Sequence, residues 1–322
     1  CRLRRGVTKA THTQQALKTL VQEDLEAYRQ ARGIKSPLEE KARCWRLPYA
    51  DTLRFHLDAV PSIPEEDPEK QIIRAAMVRA GTSWELAHEV SQWAGAITDN
   101  RRPDYNHITP RWLISNSEGF AKWFESRMKL AEALMASRAQ FANRAQVDDL
   151  PTQSWKSPLQ FAVQILKHHR NVMFAENPES KPISVILTTL AAHAYQGEPD
   201  VENALHRILS DMGNFIQATK PRVPNPVNPA EDFADKWDDP KCRHLRLEYH
   251  FRLWFSQAQS DFKVLGETRD ADFLSDALRA KLSVNIEPRN LKNRLGLGAA
   301  HVITAPKRHQ IPQNPPKPWR RS

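Results

Sequence analysis

The sequence predicts an α+β protein, a small strand-bearing part followed by a mainly helical one. Two observations predict this. Period-two patterns gather before about residue 65, and patterns of helical period fill most of the chain from there to about residue 285. A third observation fits both: with 40% apolar and 26% charged residues, a chain of 322 residues can bury one large core or two smaller ones.

The elements follow in order. In THTQQALKTLVQEDLEAYRQARG, Leu17, Leu20, Val21, Leu25 and Tyr28 recur at helical spacing, and Gly33 closes the helix. ARCWRLPYADTLRFHLDAVPSI reads as two short strands joined around Pro48–Asp51. EKQIIRAAMVRAGTSWELAHEVSQWAGAITDN is helical, RRPDYNHITP is a loop, and NSEGFAKWFESRMKLAEALMASRAQFANRA is a long helix. SPLQFAVQILKHHRNVMF, KPISVILTTLAAHAY and EPDVENALHRILSDMGNFIQ give three more helices. TKPRVPNPVNPAEDFADKW is proline-punctuated and irregular; KCRHLRLEYHFRLWFSQAQSDFKVL and DADFLSDALRAKL are the last helices. Beyond Glu287 no periodicity persists. The stretch from Glu287 to Ser322 holds eight Lys/Arg against one acid, so the other 286 residues carry only +2 of the net +9. The basic character is that of a tail rather than of a broad nucleic-acid face.

Several classes are disfavoured. No run of about 18 apolar residues is present, and the opening CRLRRGVTKATHTQQ has no apolar stretch of the secretory kind. Cys1, Cys44 and Cys242 form no CxxC pair, which fits a reducing compartment and argues against a disulfide frame or zinc ribbon. The first residue is Cys rather than Met, so a processed chain or a fragment is expected.

One short stretch raises a chemical question. In FHLDAVPSIPE, Phe55, Leu57 and Ala59 alternate with His56, Asp58 and Val60, and Pro61 and Pro64 end the pattern. A charge at the centre of so apolar a strand needs a partner, a hydrogen bond or a cleft that holds a cation.

ARCWRLPYADTLRFHLDAVPSIP, AITDN, WLISNSEGFAKWF, ILKHHRNVMF, KPISVILTTLAAHAY and NPVNPAEDFADKW occur in this order. Together they resemble the bacterial cyclic-oligonucleotide synthases, the SMODS-type cGAS/DncV-like nucleotidyltransferases. The resemblance covers residues 1 to about 285. It implies a polymerase-β-like palm, here incomplete, over residues 1–120 with an inserted helix, a helical lobe over 121–286, and a basic Pro-rich tail over 287–322. It also implies an enzyme that joins nucleoside triphosphates into a cyclic di- or trinucleotide second messenger, in a cytoplasmic anti-phage role. The expected partners are nucleoside triphosphates, a cyclic-nucleotide-sensing effector reached through the product, and an ancillary protein at the C-terminus, with no membrane and no specific nucleic acid.

In the resembling enzymes three carboxylates hold two divalent ions, Mg²⁺ or Mn²⁺, because such ions take hard oxygen ligands. Asp58 matches the third carboxylate. The first two, in a D-x-D after a Gly-Ser loop, are expected before residue 1, so these 322 residues alone are expected to be inactive. His56 shares the face of Asp58 and is expected to orient it or pack beneath it. Lys167 and Ser184 match the lysine and serine that contact the donor triphosphate. Ser157 and Pro158 start the first of these helices, with Leu159, Ala162, Val163, Leu166 and Met173 as its apolar stripe. Pro182 suits the first turn of the second, whose free amides favour phosphate.

Other groups carry less. Asp270–Ala271–Asp272 is the one D-x-D in the chain and reads as an N-cap. His168 and His169 point in different directions on a helix, and Cys242, His244 and His250 lack ligand spacing. Trp112, Trp123, Trp237 and Trp254 read as core, and GLGAA at Gly296 is not a dinucleotide fingerprint. Two rivals stand beside the cyclase: a template-independent polymerase with linear products, and a non-catalytic nucleotide- or RNA-binding protein on the same fold.

Overall fold

The computed structural model describes residues 6–50, 55–130 and 156–295. They divide into two compact units, up to Phe262 and from Lys263 onward.

The first unit opens with helix α1 (Gln14–Ala31), started by the Thr13 hydroxyl accepting from Ala16 N and followed by Gly33 at φ +63°. A three-stranded antiparallel sheet follows: β1 (Glu39–Glu40), β2 (Trp45–Ala50) and β3 (Phe55–Ala59), in the order β1-β2-β3. Leu47 pairs with Leu57 and Trp45 with Ala59. Trp45 packs with Val21 and Leu25 of α1, and its indole donates to Lys18 O at 2.9 Å. One sheet face therefore lies on the helix. Pro48 stands inside β2, opposite His56, rather than in the turn that its type suggests.

β4 (Ser62–Pro64), β5 (Gly95–Ile97) and β6 (Leu113–Ser115) form a second antiparallel sheet. Here the expectation that strands end near residue 65 fails. Strands of three residues are too short to show a period, and their partner strands define them. Between β4 and β5, the helix expected as one piece is two: α2 (Asp67–Arg79) and α3 (Trp84–Ser91). Gly81 at φ +93° breaks the run, and the Ser83 hydroxyl starts α3 by accepting from Leu86 N. Helix α4 spans Ser117–Met128; the remainder of the predicted long helix, residues 131–155, lies outside the described residues.

The helical core gathers α5 (Pro158–Met173), α6 (Ser184–Ala194), α7 (Val201–Asp211) and α8 (Leu247–Glu267). Leu159, Leu166, Ile186, Leu190, Ile208 and Trp254 are fully or almost fully buried there, as are Met77 of α2 and Val90 of α3. Burying each such side chain contributes about 1.5–3 kcal/mol. A hairpin, β7 (Pro224–Asn225) with β8 (Asn228–Asp232), occupies the segment read as irregular. It is held by the Asp232 carboxylate, which accepts from Arg222, Val223 and Ala234 N. Trp112, Trp123 and Trp254 are buried and Trp237 packs against the helical core, as predicted.

The second unit holds α9 (Ala271–Leu282) and α10 (Pro288–Arg294). Asp270 is the predicted N-cap, accepting from Asp272 N at 2.8 Å and Phe273 N at 3.1 Å. α10 places seven helical residues in the stretch without periodicity, led by a proline in its first turn. Residues 296–322, including GLGAA and the end of the basic stretch, lie outside the described residues. No helix of the described residues is long and apolar enough to cross a membrane.

Candidate functional site

Asp58 lies on the sheet face opposite the one that packs on α1. It stands directly across from Arg46 in the β2–β3 register, and its two oxygens accept from Arg46 Nε at 2.8 Å and Nη2 at 3.0 Å. The side chain is 38% exposed. Arg46's hydrogen bonds hold the carboxyl below its ordinary range, against a smaller opposing effect of burial. The charge at the strand's centre is thus resolved by position and partner: β3 is a surface strand, with Leu57 and Val60 also exposed. His56 Nε2 is 3.9 Å from Asp58 Oδ2, too far for a hydrogen bond, so Arg46 and not His56 orients the carboxylate.

Among the described residues no three His, Cys, Asp or Glu side chains gather as a metal site. Asp58 supplies one carboxylate, already engaged by a cation, and the described residues do not by themselves fit a divalent ion.

The second locus is the corner between α5 and α6. A capping box starts α5: the Ser157 hydroxyl accepts from Gln160 N and the Gln160 side chain accepts from Ser157 N. The stripe read from sequence is buried at Leu159, Ala162, Val163 and Leu166. Lys167 follows Leu166 on the margin of that stripe, half-buried, its side chain making no hydrogen bond or ion pair with any described residue. Helix α6 begins at Ser184 with Ile183 as its N-cap, and no side chain caps it. Pro182 is buried just before the helix rather than in its first turn.

Sequence reasoning missed Arg170. It is 4% exposed and has no acidic partner among the described residues. Its Nη1 donates to Pro182 O at 2.7 Å and to Ser184 Oγ at 3.1 Å, its Nη2 to Asn171 Oδ1 at 2.8 Å, and its Nε to nothing described. It lies three residues after Lys167, so the two cations share a helix side; that spacing was the one signal available. Burial pushes the pKa of both below their ordinary values, and for Lys167 the neighbouring Arg170 adds to the effect. Arg170 thus stands at the start of α6, where the macrodipole already favours negative charge, with Lys167 three residues before it on α5. No acidic side chain among the described residues neutralises either cation. His168, next to Lys167, is exposed, while His169 is buried, as their adjacency predicts.

No family model matches the chain. Curated relatives do. A c-di-GMP synthase of Roseivirga ehrenbergii is 30% identical over 294 residues, covering 87% of this chain and 68% of that protein. The chain belongs to the bacterial cGAS/DncV-like nucleotidyltransferases. These are enzymes. The cyclic dinucleotide synthase CdnG of Bradyrhizobium diazoefficiens is 28% identical over 244 residues; the match spans 71% of this chain and about half (52%) of that relative.

Solved structures agree on the fold. CdnG of Bradyrhizobium diazoefficiens, in complex with GTP, matches with TM-score 0.51 at 24% identity, over 87% of this chain and 74% of that one. A point mutant of the Vibrio cholerae dinucleotide cyclase DncV, in a complex that includes ATP and GTP, matches with TM-score 0.51 at 10% identity, over 86% of this chain and 60% of that one. The α+β nucleotidyltransferase fold predicted for this family member is therefore the one present.

Proposed function

We propose that this nucleotidyltransferase grips nucleoside triphosphates by their phosphates at the α5–α6 corner and joins them into a cyclic di- or trinucleotide. The observation that carries the reading is Arg170, buried at the uncapped start of α6 beside Ser184 with no acidic partner among the described residues, and Lys167 three residues before it on α5. A triphosphate supplies the missing negative charge, and Ser184 and the free amides of the first turn supply donors. The relatives named as cyclic dinucleotide synthases support the product class.

In this reading residues 1–120 carry the reacting end with Asp58, 121–286 form the triphosphate-binding lobe, and 287–322 are a basic tail that offers an attachment point to an ancillary protein. The product acts on a cyclic-nucleotide-sensing effector in cytoplasmic anti-phage signalling. The Arg46–Asp58 pair favours one second reading, a nucleotide-binding protein in which this carboxylate is structural.

One experiment separates them. The protein made from its complete gene is given all four nucleoside triphosphates with Mg²⁺, and its products are analysed by mass spectrometry beside D58A and K167A. A cyclic product lost in both variants supports the reading, a linear product refutes the cyclase, and a cyclic product retained by D58A leaves Asp58 structural.

A further inference from the structure

We infer that Arg170 is a positioning residue of the triphosphate site: it acts through Ser184, fixing that hydroxyl and the entry into α6 in the geometry that receives phosphate. The inference rests on the reading of Lys167 and Ser184 as the phosphate-contacting pair and assigns a role to a third residue.

The geometry carries it. One nitrogen, Nη1, bridges two acceptors on either side of the helix start, Pro182 O at 2.7 Å and Ser184 Oγ at 3.1 Å. The same guanidinium is anchored on its own helix by Asn171 Oδ1 at 2.8 Å. It is a strut from α5 to the first turn of α6. By donating to Ser184 Oγ it occupies an oxygen lone pair, which leaves the hydroxyl proton free to point at an incoming oxyanion. Without the strut, the Ser184 hydroxyl rotates freely and can turn back on its own helix.

Burying a guanidinium without a carboxylate partner is costly. Arg170 has no acidic partner among the described residues, and its Nε has none of any kind, at 4% exposure. The buried charge is left for an anion that arrives with the ligand. A lysine could keep the charge but could not make the bridge and the anchor together from a rigid fork.

The test uses inorganic tripolyphosphate as the probe and the chain as it stands, with dissociation constants from isothermal titration calorimetry. The variants are K167A, S184A, R170Q, R170K and the double variant R170Q/S184A. Loss of a charge-assisted, positioned hydrogen bond predicts weakening of about five- to tenfold for R170Q, and R170K does not restore it. The double variant binds no more weakly than R170Q, because Ser184 acts only once positioned. Multiplying effects in the double variant, restoration by R170K, or a lowered melting midpoint with unchanged binding each overturns the inference. If R170Q does not fold, the cycle is run on R170K with S184A and read in the same way. If K167A and S184A also bind as the parent does, or the parent does not bind, the site reading itself fails and the inference falls with it.

Discussion

Asp58 and Arg46 face each other across one rung of the β2–β3 ladder, and both carboxylate oxygens accept from the one guanidinium, at 2.8 and 3.0 Å. The pair is exposed to solvent, and such pairs contribute little to stability. D58N should therefore leave the urea midpoint where it is. In the protein from the complete gene it should abolish product formation, because an amide neither carries the charge nor binds a hard cation as a carboxylate does. Denaturation and product mass spectrometry on one preparation check both halves.

Helix α6 is fastened at its far end as well. Arg127 of α4 donates through Nε to Ala192 O at 2.8 Å and through Nη2 to Tyr195 O at 2.6 Å, satisfying carbonyls that the helix end leaves open. R127M removes both bonds and should cost about 2 kcal/mol. Chemical denaturation would register that loss, while tripolyphosphate binding at the other end of the helix should hold.

His169 ties α5 to α8. Its Nε2 lies 3.0 Å from Asp261 Oδ2, and its Nδ1 accepts from the Trp254 indole at 3.1 Å, all three side chains being buried. H169A removes one donor from the buried Asp261 carboxylate, which keeps Gln257 Nε2 at 2.8 Å, and should destabilise by about 1–3 kcal/mol. W254F loses one hydrogen bond and little volume, and about 1–2 kcal/mol is expected from urea titration.

His193, packed between Trp123 and Phe215, is pushed down from 6.5 to about 4 by burial, with a smaller effect from Arg127. Its folded pKa is the depressed one, so the unfolded chain takes up the proton first. The stability linked to this group is whole above about pH 6.5 and is lost progressively as pH falls towards 4. The loss amounts to about 3 kcal/mol at most. H193F should flatten the stability profile across that window, measured by urea melts at half-unit steps; a parallel profile would show that other groups govern it.

Much of the fold was legible in the sequence, and the reason is local. The stripes of α1 and α5 have a period set by the helix itself, and Ser157 and Asp270 announce helix starts through side chains that reach only three residues. The family was legible from six ordered segments. The three-residue strands β4, β5 and β6 were not, since their pairing joins residues as distant as Ser62 and Ile97, and neither was the split of α2 from α3, which depends on a positive φ at Gly81.

The site divides along the same line. The sequence by itself determined that Asp58 sits mid-strand, that Lys167 lies within one helix and that Ser184 lies at the start of the next, because alternation and caps depend on near neighbours. Only the tertiary structure decided that Asp58 is held by Arg46 twelve residues away, and that Arg170 is buried without an acidic partner among the described residues, bridging to Ser184 fourteen residues away. Those facts depend on which chain segments meet and how much water remains between them. Burial and charge balance belong to the packed chain, and no window of sequence contains them.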